Sequence, residues 1–168
     1  MNSLSKEVNL IQNPALGAVI IWSMICGYKE EKDQDLPIAL SMLSIPIVFY
    51  RPLLDVISRT QKKSGLRKFV SKLTETKNGA STTDLLLSIQ ERTRLWKDVS
   101  LTSLKFALAS NLITFSDHAC ISTSINNDPP AKYLTGISRI MLKGARKLGL
   151  WFSPLSLEEI EKLLHLRF

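Results

Sequence analysis

Side chains that act as a general base near neutral pH are few, because the only histidines of the chain are His118 and His165. Nucleophilic catalysis by serine or cysteine requires such a base within hydrogen-bond reach, and neither histidine lies in a recognisable catalytic motif. Asp117, His118 and Cys120 offer metal-ligand types in one stretch. A structural zinc site requires four ligands at fixed spacings, however, and the sequence holds no second cluster. We therefore expect no catalytic residue and no metal site.

Phosphate-binding and two-carboxylate chemistry are equally poorly supported. The glycines are scattered, and none forms a loop followed by the lysine and hydroxyl residue that cradle phosphates. Seven of the 15 acidic residues fall in a charged connector at 29–35 or in the first turns of a helix near 156–164, where negative charge favours the helix dipole. We expect a protein without a cofactor, and rank an enzyme with a scattered site third among the interpretations.

Basic residues give the strongest functional indication. One group lies within 59–77, where Glu75 is the only opposing charge, and a second repeats at spacings of seven, four and three, which places it along one helix face. Each group is suited to the phosphates of nucleic acid or to an acidic protein, and each could equally be the solvated face of an amphipathic helix. The candidate contact residues are Arg59, Lys62, Lys63, Arg67, Lys68, Lys72, Lys132, Arg139, Lys143 and Arg146.

Composition limits the setting in which these groups act. The 168 residues suit one compact domain, and the formal net charge of +7 favours an acidic partner, with nucleic acid first and an acidic protein second. Two cysteines make no disulfide framework, which places the protein in the cytoplasm. The first residues lack a signal-peptide pattern. The longest apolar run, 36–50, is too short for a membrane-spanning helix and contains two prolines.

The helix-forming pattern begins at Asn13, a predicted N-cap followed by Pro14 at the first helical position. The helix that follows, to about Met24, is apolar on nearly every side, which suits either a core or a partner interface. The other elements predicted from periodicity and breakers are a helix from Leu36 to about Phe49 that Pro46 kinks or splits, a short helix from Arg51-Pro52, an amphipathic helix at 64–74 and a loop at 76–83.

The second half of the chain contains the predicted β-structure. Helices near 84–95 and 100–111 lead into strands at 112–115 and 119–123, which suggests either a winged-helix-like element or a hairpin at the edge of a helical bundle. A long helix near 132–148 ends around Gly149, and a capping box at Ser156–Glu159 begins the last one. We predict a mainly α fold, a compact helical domain with a short β-hairpin over 1–168, divisible into 1–77 and 83–168.

Three blocks in order resemble a known family: Asn13–Ala18 through Trp22, the run from Leu43 to Phe69 with Pro46 and Arg59, and 148–152 before the terminal helix. They resemble the middle component of three-component ABC (ABC-3C) conflict systems, the small subunit of bacterial systems that include the Lamassu defence type. The similarity extends over most of the chain. Its motifs are packing motifs, so its specificity comes from their order, spacing and total length.

The resemblance implies an adaptor. Such systems pair the middle component with an SMC-like ABC ATPase that senses unusual DNA such as ends, and with an effector that is often a nuclease. The adaptor would join the two and help to restrain the effector until foreign DNA is detected. The resemblance carries over no catalytic residue. The sequence departs from the usual family pattern at 150–152 and 164–166, so the subfamily and the effector's chemistry stay open.

Large aromatic residues are the candidate interface anchors, because such side chains dominate well-packed interfaces when they are exposed. They are Trp22, Trp151, Phe152 and Phe168. The alternative is that all four belong to the core. A stand-alone DNA-binding regulator is the second-ranked function. It would use the 100–111 helix as its reader, but that helix offers only Lys105 as a cation.

Overall fold

The structure, a computed structural model, describes residues 13–75, 83–123, 125, 129, 134 and 136–167. Its central element is helix α1 (Pro14–Lys29). The Asn13 side-chain oxygen accepts hydrogen bonds from the backbone N–H groups of Ala15 and Leu16, at 3.0 and 3.3 Å, which confirms the predicted cap. Most residues of α1 are buried, because two later helices, α7 (Lys97–Ala109) and α8 (Gly136–Phe152), pack against it.

The other helices confirm the mainly α class. In chain order they are α2 (Ile38–Ser41), α3 (Ser44–Val48), α4 (Arg51–Arg59), a 3₁₀ turn (Lys62–Ser64), α5 (Gly65–Thr74), α6 (Thr83–Leu95), α7 (Lys97–Ala109), α8 (Gly136–Phe152) and α9 (Leu157–Leu164). The predicted helix at 84–95 is α6, and the one at 100–111 is α7, which begins earlier than expected. The predicted loop at 76–83 lies almost wholly outside the described residues.

The predicted helix from Leu36 to Phe49 is divided in two. The break between α2 and α3 falls at Met42 and Leu43, ahead of the proline. Pro46 is the third residue of α3, and the first N–H groups of a helix have no intrahelical acceptor, so the missing N–H is tolerated there. The start of the prediction is wrong: Leu36 and Pro37 form strand β1.

Strands β2 (Thr114–Ser116) and β3 (Cys120–Ser122) form the predicted hairpin. With β1 they make a small antiparallel sheet of strand order β1-β3-β2. Ile121 of β3 pairs with Phe115 on one side and with Leu36 of β1 on the other. The sheet thus joins the connector after α1 to the hairpin after α7.

Helix α8 continues past its predicted end to Phe152. A Cβ added at Gly149 would lie 2.0 Å from the carbonyl oxygen of Met24, and one added at Gly27 would lie 2.0 Å from the carbonyl oxygen of Arg146. The absence of these Cβ atoms allows the backbones of α1 and α8 to touch. Gly149 is therefore a packing residue and not the end of the helix.

Helix α9 begins with the predicted capping box. Ser156 Oγ accepts a hydrogen bond from the Glu159 N–H at 3.2 Å, and the Glu159 carboxylate accepts one from the Ser156 N–H at 2.9 Å. Ile160 is fully buried beneath this turn. The helix ends at His165, which has left-handed backbone torsions. This closure brings α9 against α5.

No single helix in the described part of the chain is long and apolar enough to cross a membrane. The segments Ile38–Val48 and Arg51–Arg59 satisfy the length and composition requirements only as a pair, and the chain bends by 101° between them.

Candidate functional site

A carboxylate at the end of α1 joins the two basic groups predicted from the sequence. Glu30 forms an ion pair with Lys62 of the 3₁₀ turn, and its Oε2 lies 3.2 Å from Nη2 of Arg146 in α8. The hydrogen bond from Lys62, with a smaller contribution from Arg146, lowers the pKa of Glu30 below its ordinary value of 4.5. Residues far apart in the sequence therefore meet on one side of the molecule.

A lysine that the sequence analysis missed completes this junction. Lys147 Nζ donates hydrogen bonds to the carbonyl oxygens of Ile57, Ser58 and Thr60, at 3.0, 3.2 and 2.8 Å. The three carbonyl groups lie at the C-terminal end of α4, where backbone acceptors are left over, although the Ile57 carbonyl also accepts from the Thr60 N–H at 3.1 Å. Burial lowers the pKa of Lys147, and the charge of Lys72 lowers it further. The sequence signal that could have identified Lys147 is its position next to Arg146, a predicted contact residue.

Further cations lie near the junction of Glu30, Lys62 and Arg146. Lys72 Nζ donates to the carbonyl oxygen of Arg59 at 2.9 Å, which places it beside the same helix end. Among the described carboxylates, Glu30 is the one that forms ion pairs with these cations. We call the group the basic surface, and it consists of Arg59, Lys62, Lys63, Lys72, Lys143, Arg146 and Lys147. The side chains of Arg59, Lys63 and Lys143 are exposed and form no ion pair with the described residues.

Three other predicted contact residues interact with their own chain. Arg67 Nη2 lies 3.3 Å from the Glu159 carboxylate, and Lys68 Nζ lies 3.6 Å from that of Glu75. Arg139 Nε donates to the Leu134 carbonyl oxygen at 2.9 Å. Exposed pairs of this kind contribute only about 0–1 kcal/mol, so a stronger partner can replace them. The predicted contact at Lys132 lies outside the described residues.

The predicted aromatic anchors are mostly core residues. Trp22, Trp151 and Phe152 are 6%, 2% and 0% exposed. The Trp151 Nε1–H donates to the Lys62 carbonyl oxygen at 2.8 Å, and its ring centroid lies 5.7 Å from that of Phe69. The burial of these three side chains favours the alternative that they belong to the core. Phe168 lies outside the described residues.

Histidine, cysteine and carboxylate side chains are the residue types to consider for chemistry. Across the described ranges, no group of three His, Cys, Asp or Glu side chains could hold a metal ion. Burial raises the pKa of the Cys26 thiol and of the Cys120 thiol, which disfavours the nucleophilic thiolate. His118 and His165 are exposed at turns where the backbone is left-handed. The environments of the two thiols therefore do not activate them as nucleophiles.

The Glu30 junction makes a testable contribution to stability. Glu30→Gln is expected to lower the free energy of unfolding by about 0.5–1 kcal/mol at neutral pH, because an amide cannot form ion pairs with Lys62 and Arg146. The folded-state pKa of Glu30 is depressed, so its contribution is present above the ordinary value of 4.5 and is lost as the pH falls through the lower folded-state pKa. Thermal unfolding followed by circular dichroism from about pH 3 to about pH 7 measures this difference.

Glu31→Gln is the matched control, because Glu31 is exposed and forms no ion pair with a described residue. It should change the melting temperature little at any pH. A Glu30→Gln effect that stays constant across the acidic range would contradict the assignment.

Comparison with known proteins adds a family. A family model for the ABC-three component (ABC-3C) system middle component 3 matches residues 1–168, the whole chain. No curated protein and no solved structure matches. The whole-chain match confirms the resemblance to ABC-3C middle components. A middle component of a multi-component system implies partner proteins.

Proposed function

The chain belongs to the ABC-3C middle component 3 family, and from that premise we propose that it is a non-catalytic adaptor of a bacterial antiphage and antiplasmid defence complex of the Lamassu type. In this proposal it bridges an SMC-like ABC ATPase, which senses DNA, and an effector nuclease. It also helps to hold the effector inactive until foreign DNA engages the ATPase. We propose that this complex acts in the cytoplasm.

The observation that carries this proposal is the basic surface. Residues from α4, the 3₁₀ turn, α5 and α8 converge there around Glu30, which pairs with Lys62 and Arg146. Such a concentration of charge attracts an acidic surface or a phosphate backbone and speeds association with it. An adaptor that must meet DNA, or the acidic face of a DNA-sensing partner, requires a surface of this kind.

The stand-alone regulator is less well supported. Its reader helix, α7, is directed towards the core through Ser100, Ser103, Leu104 and Ala107, and Ser103 lies directly against Gly17 of α1. The lysines within α7 are Lys97 and Lys105, and residues 114–122 of the hairpin contain no lysine or arginine. Readers of the major groove require cations beside the groove to contact phosphates.

Co-expression of the three components tests the adaptor. The ABC ATPase and the effector encoded with this chain are co-expressed with and without it, treated with nuclease, and separated by size-exclusion chromatography. We expect the ATPase and the effector to elute together only when the chain is present. Equal association without it would contradict bridging, and sequence-specific DNA binding by the chain alone, without ATPase association, would favour the regulator.

A charge-reversal variant tests the basic surface itself. Arg59→Glu, Lys63→Glu and Lys143→Glu together change exposed side chains without ion-pair partners among the described residues, so the fold should be unaffected. We expect the assembled complex to lose about tenfold in DNA affinity or in retention of the ATPase, because attraction becomes repulsion. Fluorescence polarisation with a blunt-ended duplex measures the first, and a pull-down at graded salt measures the second.

The matched control reverses three exposed cations elsewhere, Arg94, Lys97 and Lys105, and produces the same change in net charge. It should bind DNA and ATPase nearly as the unmodified chain does. Equal losses in the two variants would mean that net charge, and not the basic surface, governs association.

A further inference from the structure

A cavity of about 420 Å³ opens between the α3–α4 junction, α6 and α8, and it shares no residue with the basic surface. Its walls include Phe49, Tyr50, Arg92, Trp96, Ile137 and Met141. Phe49 and Trp96 stack with ring centroids 5.6 Å apart and planes inclined by 20°. Its volume lies in the range of about 300–1,000 Å³ that is typical of binding pockets, and most of the lining is apolar.

One charged side chain is fixed among these aromatic rings. The Arg92 guanidinium carbon lies 4.0 Å from the centroid of the Tyr50 ring and 5.7 Å from that of Trp96. Its Nε donates a hydrogen bond to the Pro46 carbonyl oxygen at 3.2 Å. The stacking and this bond hold the plane of the guanidinium in one orientation. An arginine fixed in this way loses little conformational entropy when it binds a further group.

The charge of Arg92 is not compensated by any carboxylate of the described residues. None of them forms an ion pair with it, and its two Nη groups make no hydrogen bond to a described residue. Burial lowers the pKa of Arg92 from its ordinary value. A half-buried cation with free planar donors favours a carboxylate, which accepts two parallel N–H bonds from a guanidinium.

The start of α4 adds to this preference. Tyr50, Arg51 and Pro52 line the same cavity, and no side chain caps the N-terminus of α4. No acidic residue lies in its first turn. The positive end of the helix dipole therefore acts in the same direction as Arg92 and favours negative charge at this rim.

We propose that this cavity is the docking site for an acidic segment of a partner protein of the same system, with a large apolar or aromatic side chain filling the cavity and an adjacent carboxylate binding Arg92. This inference rests on the adaptor function proposed above and gives the chain an attachment point separate from the basic surface. Arginine and aromatic residues around a concave site are typical of interface hot spots. The free guanidinium specifies the charge of the occupant.

Tryptophan fluorescence tests the proposal, because Trp96 is half-buried in the cavity wall whereas Trp22 and Trp151 are buried in the core. Overlapping peptides that tile the ATPase and the effector are titrated into the intact chain. We expect a peptide with a carboxylate next to an aromatic or large aliphatic residue to change the emission of Trp96. The Trp96→Phe variant should abolish that change.

Variants at Arg92 then test the charge. Arg92→Gln should weaken binding of this peptide about tenfold or more, and replacement of the peptide carboxylate by its amide should do the same, because each removes the same charged hydrogen bonds. The two changes combined should cost little more than either alone. Arg94→Gln, an exposed arginine on the same helix, is the matched control and should have little effect.

Several results would overturn the docking site: no peptide that alters Trp96 emission, equal effects of Arg92→Gln and Arg94→Gln, or no effect of the peptide amide. If Arg92→Gln fails to fold, the peptide amide and Arg92→Lys, which keeps the charge but loses the planar donors, decide the question. If the chain bridges the ATPase and the effector but binds no peptide, the docking site is contradicted and the adaptor function is still supported. If a peptide binds in a way that depends on Arg92 but the chain does not bridge its partners, the docking site is supported and the adaptor function is contradicted.

Discussion

Gly149→Ala is expected to lower the free energy of unfolding by about 3 kcal/mol, the upper end of the usual effect of overpacking. The added Cβ would lie 2.0 Å from the Met24 carbonyl oxygen and 2.8 Å from the Tyr28 backbone nitrogen. Both are backbone atoms of α1, so no side-chain rotation relieves the clash, and the two helices must move apart. Urea unfolding followed by circular dichroism measures the loss.

Gly144→Ala is the matched control, because it lies on the same helix and gains the same helix propensity of about 1 kcal/mol. Its added Cβ would lie 2.8 Å from Leu54 Cδ1, the end of a flexible side chain that can rotate. We expect a small net change in the stability of Gly144→Ala. Equal unfolding midpoints for Gly149→Ala and the unmodified chain would contradict the close approach of α1 and α8.

This contact explains why the sequence analysis misplaced the end of α8. A glycine after a run of apolar residues is the usual signal of a helix C-terminus, and Gly149 fits that pattern. Its actual role depends on Met24 and Tyr28, which lie on another helix. The caps at Asn13 and Ser156 were predicted correctly because each bonds within three residues of itself.

The small sheet shows the same difference between features that depend on nearby residues and features that depend on distant ones. The hairpin of β2 and β3 is a local structure, and alternating β-formers around a tight turn indicate it. Strand β1 contains only Leu36 and Pro37 and exists because it pairs with β3, which is distant in the sequence. No local pattern predicts a strand of that length, and the preceding connector with Pro37 resembles the start of a helix.

The candidate site was only partly predictable. The charge runs identified most members of the basic surface, since cations are visible in the sequence. Their convergence depends on Glu30, which the pattern assigned to a charged connector, and on Lys147, which turns towards the end of α4. The cavity at Arg92 combines residues from the α3–α4 junction, α6 and α8. The sequence could indicate only that Arg92 and Trp96, four residues apart, lie on one face of a helix.

Trp151, one of the predicted aromatic anchors, is buried in the core, so its replacement should strongly lower the stability of the fold. Trp151→Ala is expected to lower the free energy of unfolding by about 3–5 kcal/mol, because it removes the contact with Phe69 and leaves a cavity between α8 and α5. It also leaves the Lys62 carbonyl oxygen without its indole donor. Urea unfolding of the isolated chain measures this loss without any partner present.

Trp151→Phe separates the packing from the hydrogen bond. A phenyl ring keeps much of the contact with Phe69 but cannot donate to Lys62, so we expect a loss of about 1–2 kcal/mol. Binding of the partner proteins should follow stability in both variants, because Trp151 is buried in the free chain. If Trp151→Phe kept full stability and lost the ATPase or the effector, a role of Trp151 in binding beyond its part in the core would be indicated.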